Sequence, residues 1–448
     1  MFSKLFDAEP KDRGVFKDLS VLSPHYVPRE LPYRKNEIKQ ITSRLSSLLA
    51  GVKPNNLFLY GKTGTGKTSV VKTILRELDF ALDDASRNIG KVRAVTPYMN
   101  CRLGYNSKYQ VLLKILEEDS MKAEGLVCNP LEGVRNGNLS GRSPTELYSR
   151  MRKVVEANAL QMIVILDEID MVKDVNELLY TLTRVNDEIH EVSLGGVARR
   201  GSVSIIGISN KHSFKNELDT RTRSTLCEEE LVFKPYNANQ LKTILANRVK
   251  SGFKKGSISK SNISLIAAYA AQTNGDARYG LRLLQKAGEI AQSHKRKRVK
   301  KEDVMEAKSK VEEDIITELI TTLPEHQQIV LYAIADLMSR GSQYKRLSDV
   351  PTGVLFSGEV YENYEKLCKH LSRDPRTMRW FGEYLKELEM LGLVTLSISG
   401  SGIRGTTTLI RLGGNVSDIK KTVSSSLGLT YTEPSQGDLT LPRRAPAQ

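Results

Sequence analysis

The chain has 448 residues, 40% of them hydrophobic, and 67 Lys and Arg against 52 Asp and Glu leave a net charge of +15. That apolar content supports packed cores and excludes a largely disordered chain, and the length allows roughly three domains. No run approaches the about 18 apolar residues of a membrane-spanning helix, the N-terminus lacks an apolar signal region, and four scattered cysteines read as reduced thiols of a cytosolic protein.

In chain order, residues 1–20 are polar and read as a flexible N-terminus. From residue 56 to 232, short apolar runs (57–60, 162–166, 203–208 and a weaker one at 231–233) alternate with amphipathic segments. That alternation reads as a parallel sheet with crossover helices, an α/β core over 21–234. Residues 237–307 turn all helical, giving a small all-α domain over 235–310. Residues 295–301 are a basic run between two helices, read as a solvated loop with DNA contact or nuclear import as the other options. Helical patterns at 316–337, 359–371 and 376–391 precede strand patterns at 393–399 and 406–412, with a Gly-rich stretch between the strands. Three helices and a Gly-rich hairpin are the layout of a winged helix, placed at 311–413. Residues 414–448 read as a tail, loosest over 432–448 where Pro, Ser and Thr accumulate.

Two motifs carry chemistry. Gly61, Thr63, Gly64, Thr65, Gly66, Lys67 and Thr68 belong to a complete phosphate-binding pattern between an apolar strand and a helix that continues from Ser69, and all eight are candidate nucleotide-binding residues. Its glycines let successive N–H groups face a phosphate, Lys67 reaches the β and γ phosphates, and Thr68 offers its hydroxyl to Mg²⁺. The apolar run at 162–166 ends in Asp167 and Glu168. Two carboxylates at the end of a buried strand call for a cation: Asp167 holds Mg²⁺, and Glu168 orients and deprotonates the attacking water. Asn210, at the end of the 203–208 run, is placed to sense the γ phosphate or the water.

Together these elements resemble an AAA+ ATPase, more narrowly the archaeal replication initiators related to the origin recognition complex and the cell-division-cycle loader. The resemblance spans about residues 15–412. It rests on the box LSPHYVPRELPYRKNEI at 22–38, the LLYTLTRVN helix at 178–186, GISN at 207–210, PYNA at 235–238, GDAR at 275–278, and VYENY at 360–364 with the segment 384–394. It implies an AAA+ core with a parallel sheet, an all-α lid and a C-terminal winged-helix domain. It further implies that Tyr26, Val27 and Pro28 line the base with Arg34 nearby, that Tyr236 enters the lid, and that Arg278 is a lid arginine reaching the γ phosphate. An arginine finger acting on a neighbour's nucleotide falls on Arg221 or Arg223. The usual Pro after Asp219 is Thr220 here, and Arg221 is favoured. Residues 115–142 match the region of a family-specific DNA-touching insertion, or a flexible loop; 188–201 are extended and have no functional reading.

In the winged helix, Asp374-Pro375 reads as a helix start. Met378, Phe381, Leu385 and Leu388 then form one apolar face, with Arg376, Arg379, Trp380 and Glu383 opposite. Arg376 and Arg379 are candidates for phosphates or guanine edges, and Arg404 at the wing tip for a minor-groove or phosphate contact. The expectation is a cytoplasmic, nucleoid-associated initiator with no membrane role. It binds ATP or ADP with Mg²⁺, hydrolyses ATP weakly, holds double-stranded origin DNA, assembles with other initiator protomers and recruits the replicative helicase. The competing readings are a branch-migration-type motor and a nucleotide-sensing transcriptional regulator.

Overall fold

The expected apolar runs pair into one parallel sheet, joined by two short strands that no periodicity announces. The computed structural model describes residues 14–88, 93–118, 121, 138–194, 196–226, 228–340, 353–398 and 407–429. It divides into two compact units between Val304 and Met305.

The first unit holds strands β1 (Leu57–Tyr60), β2 (Ala94–Val95), β3 (Tyr98–Asn100), β4 (Gln161–Asp167), β5 (Glu191–Leu194), β6 (Val197–Arg200), β7 (Ser202–Ser209) and β8 (Glu229–Val232). The main sheet runs β2-β4-β7-β1-β8, with β3 also on β4, and all its pairings are parallel. Strands β1, β4 and β7 are buried along their whole length, as central strands covered by helices on both faces must be. Alternation sorts their side chains: Phe58, Met162, Val164 and Leu166 join one core, while Leu59, Ile163, Ile165 and Ile208 join the other. Residues 188–201 fold in part into a separate antiparallel hairpin, β5 on β6.

Helices α1 (Lys35–Leu45), α2 (Lys67–Asn88), α3 (Lys108–Glu117), α4 (Pro144–Ala157), α5 (Val175–Glu188), α6 (Phe214–Glu217) and α7 (Thr220–Leu226) complete the core. The lid follows as α8 (Ala238–Gly252), α9 (Lys260–Gln272) and α10 (Ala277–Ser293). Asn237 and Gln240 form a capping box on α8, and the Asp276 carboxylate accepts from the N–H groups of Arg278 and Tyr279 to start α10. Helix α11 (Lys301–Thr322) begins in this unit and ends in the next, so the boundary expected at 310 falls inside a continuous helix.

The flexible N-terminus needs correction at its C-terminal end. Residues 14–20 are fastened to the lid: Lys17 N–H donates to the Gly252 carbonyl at 2.8 Å, and Lys254 N–H to the Val15 carbonyl at 2.9 Å. Phe16 lies so close to α10 that a Cβ at Gly288 would approach its ring to 2.2 Å. Residues 1–13 lie outside the described residues.

The second unit continues with α12 (Glu325–Arg340), β9 (Leu355–Phe356), α13 (Ser357–His370), α14 (Met378–Met390), β10 (Val394–Ile398), β11 (Thr408–Leu412) and α15 (Val416–Ser426). Its sheet is antiparallel, in the order β10-β11-β9. The helix expected over 316–337 breaks at Pro324, whose missing N–H and ring exclude a helix interior. The domain end expected at 413 is also short. Helix α15 packs on α12, where Lys420 sits 2.9 Å from the buried Asp336. The tail 432–448 and the Gly-rich stretch 399–406 lie outside the described residues.

Candidate nucleotide site and winged helix

The C-terminal ends of β1, β4 and β7 open on one cavity of about 360 Å³, closed on its far side by α8 and α10 of the lid. Its wall holds Thr63, Gly64, Gly66, Lys67, Thr68, Ser69, Asp167, Glu168, Asn210, Tyr236 and Arg278, together with Tyr26 and Pro28. Residues separated by 250 positions in sequence therefore meet here, as strand ends of an α/β sheet direct.

The loop after β1 wraps around Lys67. Its ammonium donates to the carbonyls of Gly61 (2.6 Å) and Lys62 (3.0 Å) and to Oδ1 of Asn210 (2.9 Å). Burial pushes the lysine down to about 8, against the opposing pull of Asp167. One hydrogen bond joins the hydroxyl of Thr68, at the start of α2, to Oδ2 of Asp167 at the end of β4, 2.8 Å away. Tyr98 donates to the same oxygen at 2.7 Å. Burial, and then the negative Asp167, raise the phenol so that it stays a donor.

Glu168 follows in a left-handed conformation, φ 55° and ψ 46°. Such backbone costs about 1 kcal/mol for a residue with a Cβ, and it turns the carboxylate off the strand direction into the cavity wall. Arg102 lies 4.0 Å from it and is exposed. Gly64 lies against the lid. A Cβ there would fall 1.7 Å from Oδ1 of Asp276, and the Gly64 carbonyl accepts from Ala277 N–H at 3.3 Å.

Three expected ligand residues stand off the wall. Gly61 packs on β8, where a Cβ would come within 2.6 Å of the Phe233 carbonyl. Thr65 is fully buried and donates to the Lys62 carbonyl at 2.8 Å. Val27 lies between two wall residues without lining the cavity. The first two shape the loop through packing. Tyr26 is held by Arg248, whose guanidinium sits 4.8 Å over its ring and donates to its carbonyl at 3.0 Å. Arg34 is buried: Nε donates to the Thr65 carbonyl (3.0 Å) and the Tyr236 hydroxyl (2.9 Å), and an NH₂ group donates to the Lys234 carbonyl (2.7 Å).

Arg221 and Arg223 lie on α7, away from this cavity. Both are exposed, and Arg223 donates to the Leu218 carbonyl of its own chain at 3.1 Å. Tyr98, Arg102 and Arg248 stand at or beside this cavity with no motif to announce them, and Asp276 was read only as part of the GDAR stretch. Its carboxylate caps the helix that carries Arg278.

Three family models match the chain: an AAA ATPase domain over residues 30–193, a Cdc6 AAA+ ATPase-type lid domain over 242–309, and the C-terminal winged-helix domain of CDC6 over 318–422. The ORC1-type DNA replication protein of Thermococcus onnurineus is 38% identical over 411 residues, 91% of this chain and 90% of that one. The chain belongs to the family of ORC1-type DNA replication proteins. The ORC1-type DNA replication protein 1 of Archaeoglobus fulgidus is 35% identical across 97% of both chains. The solved structure of the Aeropyrum pernix ORC1 protein in complex with DNA matches with a TM-score of 0.73 and 34% identity, over 93% of this chain and 98% of that one. The AAA+ core, lid and winged helix of this ORC1-type protein are thus those of its family, and the core is a nucleotide-binding domain.

In the winged helix of this ORC1-type chain, α14 starts at Met378 behind Thr377, three residues later than Asp374 would place it. Local capping loses to tertiary bonds here. Arg376 N–H donates to the Tyr364 hydroxyl (3.0 Å), and the Tyr361 hydroxyl donates to the Arg376 carbonyl (3.0 Å), which holds this backbone outside the helix. Met378 does not join the apolar face: it is 49% exposed, and Phe381, Leu385 and Leu388 form the buried face. The side chains of Arg376 and Arg379 are exposed. Arg404 lies outside the described residues, as does most of 115–142.

Proposed function

We propose that this ORC1-type protein is an ATP-dependent replication initiator, with nucleotide as a conformational switch. The observation that carries the reading is the shared wall of the cavity. Lys67, Asp167 and Asn210 come from the core, Arg278 comes from the lid, and the Gly64 loop touches the start of α10. A γ phosphate bridging Lys67 and Arg278 would draw lid and core together, and its loss would release them.

The donor set fits ATP with Mg²⁺. Among the described residues no cluster of three or more His, Cys, Asp or Glu could hold a metal by itself, so a cation there would be shared between Thr68, Asp167 and phosphate oxygens. Mg²⁺ would neutralise charge on the phosphates. Glu168 serves as the base toward water, Asn210 positions that water or the γ phosphate, and Tyr26, Pro28 and Tyr236 border the base. Hydrolysis is weak because the arginine finger, Arg221, is free to serve only a neighbouring protomer's site.

Duplex origin DNA is the polyanion. The A. pernix ORC1 relative is seen in complex with DNA, and the exposed Arg376 and Arg379 here flank the start of a helix whose opposite face is docked. Recruitment of the replicative helicase follows from the replication role of the family.

Lys67→Ala and Glu168→Gln test the reading. Lys67→Ala should lose ATP binding. Glu168→Gln should retain ATP, stop turnover and keep the lid closed, visible as slowed amide exchange in α10. Strand displacement driven by ATP would replace the initiator reading with a motor.

A further inference from the structure

The nucleotide cavity and the winged helix leave unused a strongly charged surface of the described residues. Residues 295–301 contain Lys295, Arg296, Lys297, Arg298, Lys300 and Lys301 and no acid. A charge run of this kind is ordinarily a loose solvated loop. This one is fastened along its length. Helix α10 ends with Lys295 at φ 54°, a left-handed position usually filled by Gly or Asn, with Lys295 N–H donating to the Gln292 carbonyl at 2.7 Å. Arg296 turns inward to the fully buried Asp303 at 3.0 Å, and Lys300 N–H donates to the same carboxylate at 2.8 Å. Buried Val299 donates from its N–H to the Ser257 carbonyl at 2.8 Å and accepts from Asn262 at 2.9 Å.

These anchors point inward and leave Lys297, Arg298, Lys300 and Lys301 exposed. The Val299–Ser257 bond also brings the 254–257 turn alongside, with Lys255 exposed on it. Among the described residues none of the four run cations forms an ion pair, unlike Arg296. Holding unpaired like charges in a fixed backbone is repulsive, and a polyanion reverses the sign.

We infer that this face of the lid is a second duplex-DNA contact, one that grips sugar-phosphate backbone without reading sequence. The inference rests on the DNA-binding part of the proposed function. The composition selects the partner. The run has no aromatic side chain on which unpaired bases could stack, which disfavours single strands. Its one apolar residue is buried, so the face lacks the apolar anchor that a protein interface needs. What remains is a fixed set of cationic donors, which suits phosphates.

The test uses the full chain carrying Lys297→Gln, Arg298→Gln, Lys300→Gln and Lys301→Gln together. A labelled duplex of arbitrary sequence is titrated by anisotropy between about 50 and 200 mM salt. The expected result is an affinity about tenfold lower at low salt, and a plot of log affinity against log salt shallower by about one for each phosphate no longer neutralised. Nucleotide affinity and melting temperature should match the parent. A second variant with Lys297, Lys300 and Lys301 all changed to Arg should behave as the parent. An unchanged salt slope in the Gln variant overturns the inference. Abolished polyglutamate binding with duplex binding intact also overturns it, in favour of an acidic protein. A parent chain that binds no duplex overturns the DNA reading itself. Arg376→Ala with Arg379→Ala weakening duplex binding, while the lid variant does not, overturns the lid contact alone.

Discussion

Thr68 donates its hydroxyl to Oδ2 of Asp167 across 2.8 Å, joining the first turn of α2 to the end of β4. This bond and the one from Tyr98 meet Oδ2, and the Glu168 N–H meets Oδ1 at 3.1 Å, so they satisfy a carboxylate that is 3% exposed. Thr68 and Asp167 would hold a cation here, and the Tyr98 bond would fix the carboxylate while they did so.

Asp167→Asn removes the charge and keeps the shape. Mg²⁺ should then no longer strengthen nucleotide binding. Affinity in chelator should change by less than about threefold, and turnover should fall by about 100-fold or more. Calorimetric titration with and without Mg²⁺ checks this; a retained Mg²⁺ enhancement would remove Asp167 from the cation site. Tyr98→Phe should leave nucleotide affinity near the parent and lower turnover severalfold.

Arg34 links three elements that motif reading treats separately: the box before α1, the phosphate loop through Thr65, and the lid entry through Lys234 and Tyr236. Its guanidinium also lies 4.2 Å over the Tyr236 ring. Arg34→Ala should cost about 3 kcal/mol, since it strands buried carbonyls and the partly buried Glu37. Arg34→Lys should recover little, because one ammonium cannot reach both carbonyls and the phenol. Denaturant unfolding measures the loss, and nucleotide affinity should fall with it.

The phosphate loop and the Asp167–Glu168 pair were legible because their chemistry demands fixed residue types at fixed local spacing. Tyr98 was not. It reaches Asp167 only because β3 pairs in parallel with β4, setting Asn100 opposite Asp167, and a three-residue strand carries too little periodicity to announce itself. The left-handed Glu168 has no local signature either. Helix α15 was hidden for a different reason. Lys420 and Ser424 look like surface residues, and only the buried Asp336 of α12 makes Lys420 an inward residue. At Asp374-Pro375 the local cap signal was present and lost to the phenols of Tyr361 and Tyr364.

Lys420→Ala tests whether α15 belongs to the winged-helix domain. Lys420 donates to the Ser339 hydroxyl at 2.9 Å and faces an Asp336 that is 2% exposed. Removing it leaves Arg340 as the remaining cation on that carboxylate, at 3.0 Å. The expected loss is about 3 kcal/mol in the unfolding of this unit. Trp380, the only tryptophan of the chain, reports that unfolding separately from the nucleotide-binding unit. Truncation after Gly413 should lower the transition at least as far. Unchanged Trp380 unfolding in both would make α15 dispensable.

His326 should make the same unit sensitive to acid. The Tyr364 hydroxyl accepts from Arg376 N–H and lies 2.8 Å from Nδ1 of His326, to which it donates when that nitrogen carries no proton. Protonating His326 places a second hydrogen in that bond. Burial, followed by the nearby Arg376, lowers the native pKa below the ordinary 6.5, with Glu325 opposing and Arg373 assisting. Between the native value and 6.5 the unfolded chain holds more protons than the native one, so stability rises with pH across that window. Lowering the pH below 6.5 should therefore shift the Trp380 melting transition down, with the shift levelling off once the native imidazole is charged. His326→Gln keeps an acceptor near Tyr364 without a titrating group, and it should flatten this slope. Since Tyr364 also holds Arg376 at the entry to α14, the parent's duplex affinity should weaken as the pH falls through the lowered native value and that of His326→Gln should not. An acid response equal in both proteins would assign the sensitivity to other groups.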